Sequence, residues 1–379
     1  MKSFQEISGS TSARGYRNRA VEAVGHPANA RARRKFVSRT SWLVYVLFLG
    51  AAAFGCYRRP VTDDFDRYMY EAIVLGQHQS TAQVYERVKH ESPRAEASSI
   101  LDSPDHLAKL MPLYKIRPLY IFLIAAISTL GMSIQHAINL ISAASLLGIG
   151  IVLGLWTRRL LLSALIVMSG LIAVLGRMGT PDALSTMVVL FGLLATIRER
   201  FDLGCMLLLL SVWIRTDNVI VVVLALFILC GRRLPAWRLA AYSVAAVASV
   251  AVINRYSGNY GWTVLFQWSF MPGTHSPADI HTPVTIREYA TVFASSFASL
   301  VGRLAIWMVL GLTAWSASPA SRRLLLVAAL GVAAHFVLYP SPEDRYLVWG
   351  YLVVAIAFIE WVSQLSANQH VWAKQAEAA

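Results

Sequence analysis

Residues 137–156 read AINLISAASLLGIGIVLGLW, twenty positions without one charged side chain. A bilayer core about 30 Å thick accepts roughly 17–25 such residues as a single helix. The block leaves no polar face for water, which separates it from the amphipathic helix of a soluble domain. Blocks with few or no charges recur on both sides of it, among them Trp42–Tyr57, Leu160–Gly176 and Tyr346–Val362. Of the 379 residues 56% are hydrophobic and 15% charged, where a soluble domain carries about 25% charged residues. Mean hydropathy is +0.52. These features predict an all-α fold: a polytopic transmembrane helical bundle of about ten spans, with juxtamembrane helices in its first outer loop.

The predicted spans are 41–57, 136–156, 160–176, 183–197, 203–214, 218–231, 237–254, 303–316, 324–339 and 346–363. Several are at or below the minimum length, so some are short, tilted or broken. Residues 1–39 differ in kind, with nine Lys/Arg against Glu6 and Glu22 and no apolar period. They read as a disordered, basic cytoplasmic tail near anionic lipid. No folded nucleic-acid-binding partner accompanies the tail, so nucleic acid is not an expected ligand, and the tail is too long for a signal peptide. Residues 40–365 form the membrane domain and 366–379 a short cytoplasmic C-terminal tail. Cys56, Cys205 and Cys230 sit in apolar segments without paired spacing and read as small buried hydrophobes.

Charge sets the orientation. If Pro118–Leu130 does not cross, the basic tail and the connectors holding Arg158-Arg159, Arg198, Arg200, Arg232-Arg233, Arg238 and Arg322-Arg323 share one side with Lys374. That side then holds 19 of the 34 Lys/Arg and 6 of the 21 Asp/Glu, leaving 15 of each outside. Basic residues accumulate in cytoplasmic loops. Both termini are therefore placed in the cytoplasm, and Pro118–Leu130, only 13 residues long, is read as juxtamembrane or re-entrant.

This arrangement puts residues 58–135 and 255–302 outside. In the first loop Phe65, Met69, Ala72 and Ile73 recur at helical spacing, predicting an amphipathic helix on the membrane surface. Asp63, Asp64 and Asp66 at its start have two readings. They are caps and first-turn charges, or they supply a general base or cation ligand beside a membrane-embedded site. The other conspicuous polar residues also fall at outer span ends: Arg117, Arg177 with Asp182, Arg215 with Asp217, and Glu343-Asp344-Arg345-Tyr346. Each alone reads as a helix terminator or snorkelling side chain. Together they mark one face. Ionisable groups at a membrane boundary are costly and kept for function, and arginines there suit a phosphate through bidentate hydrogen bonds. Tyr256, Tyr260, Trp262, Phe266, Trp268 and Phe270 of the second loop form an aromatic belt that also suits sugar or prenyl faces. His275 and His281 are weak metal candidates and read better as loop histidines.

In this order the parts resemble the GT-C superfamily of membrane glycosyltransferases, which use polyprenyl-phosphate-linked sugars. The resemblance covers most of residues 40–365. It rests on the acidic first outer loop, Arg117-Pro-Leu-Tyr120, Pro181-Asp-Ala-Leu184 shortly after Arg177, and Glu343-Asp-Arg-Tyr346 before the last span. It implies that Asp63 or Asp64 is the catalytic base or metal contact at the acceptor. Arg345, Arg177, Arg215 and Arg117 would hold the donor's lipid phosphate, with Asp66, Asp182, Asp217 and His275 as further acceptor or cation contacts. No cofactor beyond a candidate divalent cation is implied, and the metal itself is undetermined. The implied partners are a polyprenyl-phosphate-linked sugar, a glycan, lipid or protein acceptor and the bilayer of a bacterial inner membrane. The chemistry would be inverting sugar transfer. Two alternatives are an O-antigen polymerase or ligase, whose usual very large late outer loop is not evident, and a flippase or transporter of lipid-linked sugar. A transporter would place charges near the midplane and often repeat internally, and neither feature is found.

Overall fold

The computed structural model describes residues 39–61, 65–91, 102–271 and 276–378. The tail through Ser38, and with it Asp63, Asp64 and His275, lies outside the described residues. The chain divides into two compact units, Met1–Leu43 and Val44–Ala379. Of the first unit only residues 39–43, the opening of a helix, are described.

Among the described residues every regular element is helical. In chain order they are α1 (Arg39–Arg58), α2 (Phe65–Leu75), α3 (Thr81–Glu91), α4 (Pro104–Lys115), α5 (Pro118–Ser128), α6 (Ile134–Thr157), α7 (Leu160–Val167) and α8 (Gly170–Leu175). There follow α9 (Asp182–Ile197), α10 (Phe201–Ile214), α11 (Val219–Ala225), α12 (Ala236–Ser257), α13 (Trp262–Phe270), α14 (Ile286–Ala314), α15 (Pro319–Leu338) and α16 (Val348–Ala378). Local chemistry sets the boundaries. Ser103, Ser133 and Ser318 cap α4, α6 and α15 by accepting from a backbone N–H three residues on. A reciprocal Thr285–Glu288 box opens α14, and Gly258 closes α12 in the left-handed conformation at φ 67°.

Six of these helices are long and apolar enough to cross a membrane: α1, α6, α12, α14, α15 and α16 as far as Ser366. The pair α4–α5 passes the same test together but is bent by 109°, and Asp182–Ile197, Phe201–Ile214 and Thr216–Cys230 are shorter apolar helices. The bend has a sequence cause. Pro118 cannot continue a helix from α4, and the residue before a proline is driven out of the helical region. Arg117 accordingly takes φ −123° and ψ 58°, leaving its side chain at the corner. Helix α6 is central, with 67% of its apolar window buried and α9 packed along it, whereas α12 and α14 bury 11% each and form the periphery.

Three expectations change. Residues 160–176 are not one continuous helix: the chain breaks at Met168-Ser169 into α7 and α8. The predicted span 303–316 is the second half of a longer helix. The capping box starts α14 at Ile286, and Tyr289, Phe293 and Phe297 form one side of it at i, i+4 spacing. Helix α2 forms as predicted but does not lie on a surface, since residues 67–75 are all buried, packed by α4, α5 and α6. Its polar residues Arg67 and Glu71 are bridged by one side chain of α6. Arg67 Nη2 donates to Gln135 Oε1 at 2.8 Å, and Gln135 Nε2 donates to Glu71 Oε2 at 3.1 Å.

Candidate functional site

Each charged residue of this candidate set stands at a helix end because a charge ends an apolar run. Asp66 is in the first turn of α2 and Arg117 at the α4–α5 corner. Asp182 opens α9, and Arg215 and Asp217 occupy the break between α10 and α11. Arg345 and Tyr346 lie in the turn before α16. The break is possible because Arg215 is extended, at φ −148° and ψ 119°, and starts a short 3-10 turn, Thr216–Asn218. Asn218 anchors that turn, donating from Nδ2 to Ser185 Oγ at 2.7 Å and to the Ser211 carbonyl at 2.9 Å.

The side chains form one network. Arg215 is buried and grips Asp217 with two parallel bonds, Nε to Oδ1 at 3.1 Å and Nη2 to Oδ2 at 2.6 Å. Its Nη1 donates to buried Asp182. Arg345 Nη1 donates to Asp66 Oδ2 at 3.0 Å, Nη2 donates to the Tyr346 hydroxyl at 3.0 Å, and the Glu343 carboxylate pairs with its Nε. The Tyr346 ring binds the two halves together, because the guanidinium carbons of Arg215 and Arg345 each lie 4.9 Å from its centroid. Arg117 completes the set over the rings of Tyr70 (5.7 Å) and Tyr114 (5.5 Å), within the field of Asp66, Asp182 and Arg215. Burial works against the Arg345 charge. Asp66, Tyr346, Asp182 and Glu343 outweigh burial and raise its pKa above the ordinary arginine value, so the group stays cationic.

An aromatic wall reaches the same point. From Trp262 and Phe266 it runs through Phe270 to Tyr339, whose ring is 4.8 Å from Phe270 and 5.5 Å from Tyr346. Of the second-loop aromatics, Phe266 is buried while Tyr256 is exposed.

Not every candidate joins. Arg177 faces elsewhere: its Nε donates to the Arg59 carbonyl at 2.6 Å, and its own carbonyl accepts from Val61 N at 2.9 Å. It ties down the chain entering the acidic segment instead of meeting the other arginines. The turn after it is held by Tyr120, donating to the Gly179 carbonyl at 3.1 Å, and by a close approach to α2. A Cβ on Gly179 would stand 2.7 Å from Arg67 Cβ. His281 is exposed. Among the described residues no group of three His, Cys, Asp or Glu side chains gathers as metal ligands, and Asp66, Asp182 and Asp217 are each paired to an arginine.

One residue of the cluster escapes a reading of outer-face residues. His335, near the end of α15, is buried with Nδ1 3.1 Å from Asp217 Oδ2. An ionisable residue near the end of an apolar run was its only signal in the sequence.

Beside the Arg117 corner, α2, α4, α5, α10 and α12 enclose an apolar cleft of about 460 Å³. Ile73, Met111, Phe122 and Trp213 line it, with Lys115 among them. No family model, curated protein or solved structure matches the chain. The resemblance to the GT-C superfamily therefore stands on the order of its motifs.

Proposed function

We propose that the chain is a multi-pass membrane glycosyltransferase moving a sugar from a polyprenyl-phosphate donor to an acceptor on the extracytoplasmic face of a bacterial plasma membrane. The observation that carries this reading is the convergence of Arg117, Arg215 and Arg345 with Asp66, Asp182 and Asp217. Planar guanidinium groups match a phosphodiester by paired hydrogen bonds, and the apolar cleft that begins at Pro118, beside the Arg117 corner, suits a prenyl chain. The ten spans of this reading are the six long helices, the three shorter apolar ones and the broken pair α7–α8. In it α5 lies at, or re-enters from, the outer boundary, and both termini are cytoplasmic.

In the proposed reaction a carboxylate, Asp63 or Asp64, takes the proton of the acceptor hydroxyl. The hydroxyl oxygen bonds to the anomeric carbon from the face opposite the phosphate, and the carbon–oxygen bond to phosphate breaks. The electron pair leaves with the prenyl phosphate, whose growing charge the arginines neutralise. The test is transfer by purified protein in lipid, supplied with synthetic polyprenyl-phosphate sugars. Asp63→Asn or Asp64→Asn should lower turnover by about 10²–10⁴-fold while expression holds. Near-normal turnover in both and in the double variant would make these acids structural. Sidedness has its own check, because the native cysteines Cys56, Cys205 and Cys230 are buried. His281→Cys should react with an impermeant thiol reagent in intact cells and Ser316→Cys should not. The reverse pattern would overturn the orientation.

A further inference from the structure

At the end of the helices away from the cluster, three arginines stand together with no carboxylate to answer them. Two connectors meet there. Helix α9 packs along α6, and Arg198, just after α9, donates from Nη2 to the Leu155 carbonyl near the end of α6 at 2.7 Å. Arg158 follows α6 in the first connector, and Arg198 and Arg200 flank Glu199 in the second. All three arginines are exposed. They crowd one another: partial loss of water first, and then the like charges of Arg158 and Arg200, lower the Arg198 pKa below the ordinary arginine value.

The acids of this end are engaged elsewhere. Glu199 pairs with Arg233. Asp202 pairs with Arg238 and accepts from the Tyr242 hydroxyl at 3.0 Å, and Glu360 accepts from Ser321 Oγ at 2.8 Å. Among the described residues no carboxylate pairs with Arg158, Arg198 or Arg200. The backbone keeps the charges apart at some cost. Arg158 (φ 55°) and Glu199 (φ 61°) are the two non-glycine residues in the left-handed region among the described residues, and both lie in these connectors. Exposed apolar side chains follow within two turns of the arginines, Leu161 and Leu165 on α7 and Met206 on α10. Unanswered guanidinium groups next to a lipid-facing apolar surface suit a ligand with an anionic phosphate and a hydrocarbon tail.

We propose that Arg158, Arg198 and Arg200 form a binding site for one anionic phospholipid, whose phosphate the guanidinium groups hold while its acyl chains lie along the exposed apolar residues of α7 and α10. In the proposed orientation this is a lipid of the cytoplasmic leaflet. The site does not depend on sugar transfer at the opposite end. Its part is placement: the lipid seats the two connectors at the membrane boundary.

The full chain, purified in a neutral maltoside detergent, is titrated with dioleoylphosphatidylglycerol or dioleoylphosphatidylcholine, which share their acyl chains and differ in net charge. Native mass spectrometry counts the lipids bound, and the melting temperature follows the same titration. Each basic residue beside an anionic headgroup contributes about fivefold in affinity, so the three arginines should favour phosphatidylglycerol by roughly a hundredfold. One phosphatidylglycerol should saturate the site and raise the melting temperature. Equal binding of the two lipids by the wild type overturns the site. Arg158→Asn combined with Arg200→Gln should bind phosphatidylglycerol about 25-fold more weakly. Asparagine tolerates the left-handed backbone, and the Arg198–Leu155 bond is untouched. Arg233→Gln combined with Arg238→Gln removes as much charge from the same end and should bind as the wild type does. Equal weakening in both pairs means diffuse surface charge and overturns the site. If the first pair does not fold, Arg200→Gln alone decides: about fivefold weaker binding supports the site, and wild-type affinity overturns it. Glycerol 3-phosphate tests the other source of the anion. Displacement of phosphatidylglycerol by it at matched concentration assigns the arginines to a soluble phosphate and overturns the lipid, whereas failure to displace supports it.

Discussion

The two ends of the helices treat their charges in opposite ways. At the cluster end Arg215 and Asp182 pair with side chains only 9% and 4% exposed. At the other end Arg233 pairs with Glu199 at 3.5 Å with the two side chains 57% and 66% exposed, and Arg238 meets Asp202 at the same distance. Other arginines there bond to carbonyls: Arg198 Nη2 to Leu155 at 2.7 Å and Arg322 Nε to Trp315 at 3.0 Å. Carbonyls left over at helix C-termini are natural partners for cations. Such contacts explain charged connectors without any appeal to function. The cluster end is different in kind. Burying a guanidinium and a carboxylate carries a desolvation cost that mutual attraction barely offsets, and an apolar replacement is often the more stable choice. Charges held in that way inside an apolar bundle indicate use.

The largest expected effect breaks the buried pair from one side. Arg215→Ala leaves Asp182 and Asp217 facing one another without their cation and should cost about 3–5 kcal/mol. Unfolding followed in detergent would measure it. Adding Asp182→Asn and Asp217→Asn should recover part of the loss, since the uncompensated charges are the cause. If Arg215→Ala keeps wild-type stability, the pair is hydrated and the contrast between the ends disappears.

Arg345 sharpens the comparison on the functional side. Its side chain is 17% exposed yet holds Asp66, Glu343 and Tyr346 together. Lysine can replace a point charge but not a planar fork. Arg345→Lys should raise the donor KM and lower kcat, together by roughly one to two orders of magnitude, each tenfold being about 1.4 kcal/mol of transition-state binding. The same variant should keep its melting temperature. Unchanged donor kinetics would reduce Arg345 to an architectural ion pair and leave Arg215 and Arg117 to hold the phosphate.

Much of this contrast was legible before any coordinates. The charge-free block 137–156 reads directly as α6, and the shared sidedness of the Arg/Asp pairs follows from where apolar runs stop. What could not be read was direction and enclosure. Arg177 and Asp182 stand five positions apart in one motif, yet the turn between them sends Arg177 back to the Arg59 carbonyl and Asp182 into the cluster. The apolar period of α2 announces a helix but says nothing of α4 and α5 packing on it, nor of Arg67 and Glu71 meeting Gln135 of a distant helix. His335 was hidden by its apolar surroundings. The first half of α14 was hidden by Arg287, Glu288 and its serines, which interrupt the apolar pattern; the Thr285-Ile-Arg-Glu288 spacing of a capping box was the signal for its earlier start.

The smallest expected effect tests the bland end of the comparison. Arg233 follows the π-helical turn Leu226–Cys230, and its N–H already bonds to the Cys230 carbonyl at 2.8 Å, a contact that any non-proline residue retains. What Arg233→Ala removes is the exposed pair with Glu199. Exposed pairs contribute about 0–1 kcal/mol, because solvent screens the attraction and two long side chains lose freedom to hold it. Orientation should survive as well, since 19 Lys/Arg are assigned to that side and one is lost. Melting temperature, thiol accessibility at His281→Cys and sugar transfer should therefore all stay at the wild-type level. A fall in transfer with sidedness intact would place a working charge at the second end. The division between a cluster held for use and connectors held for placement would then have to be redrawn around Arg233 and Glu199.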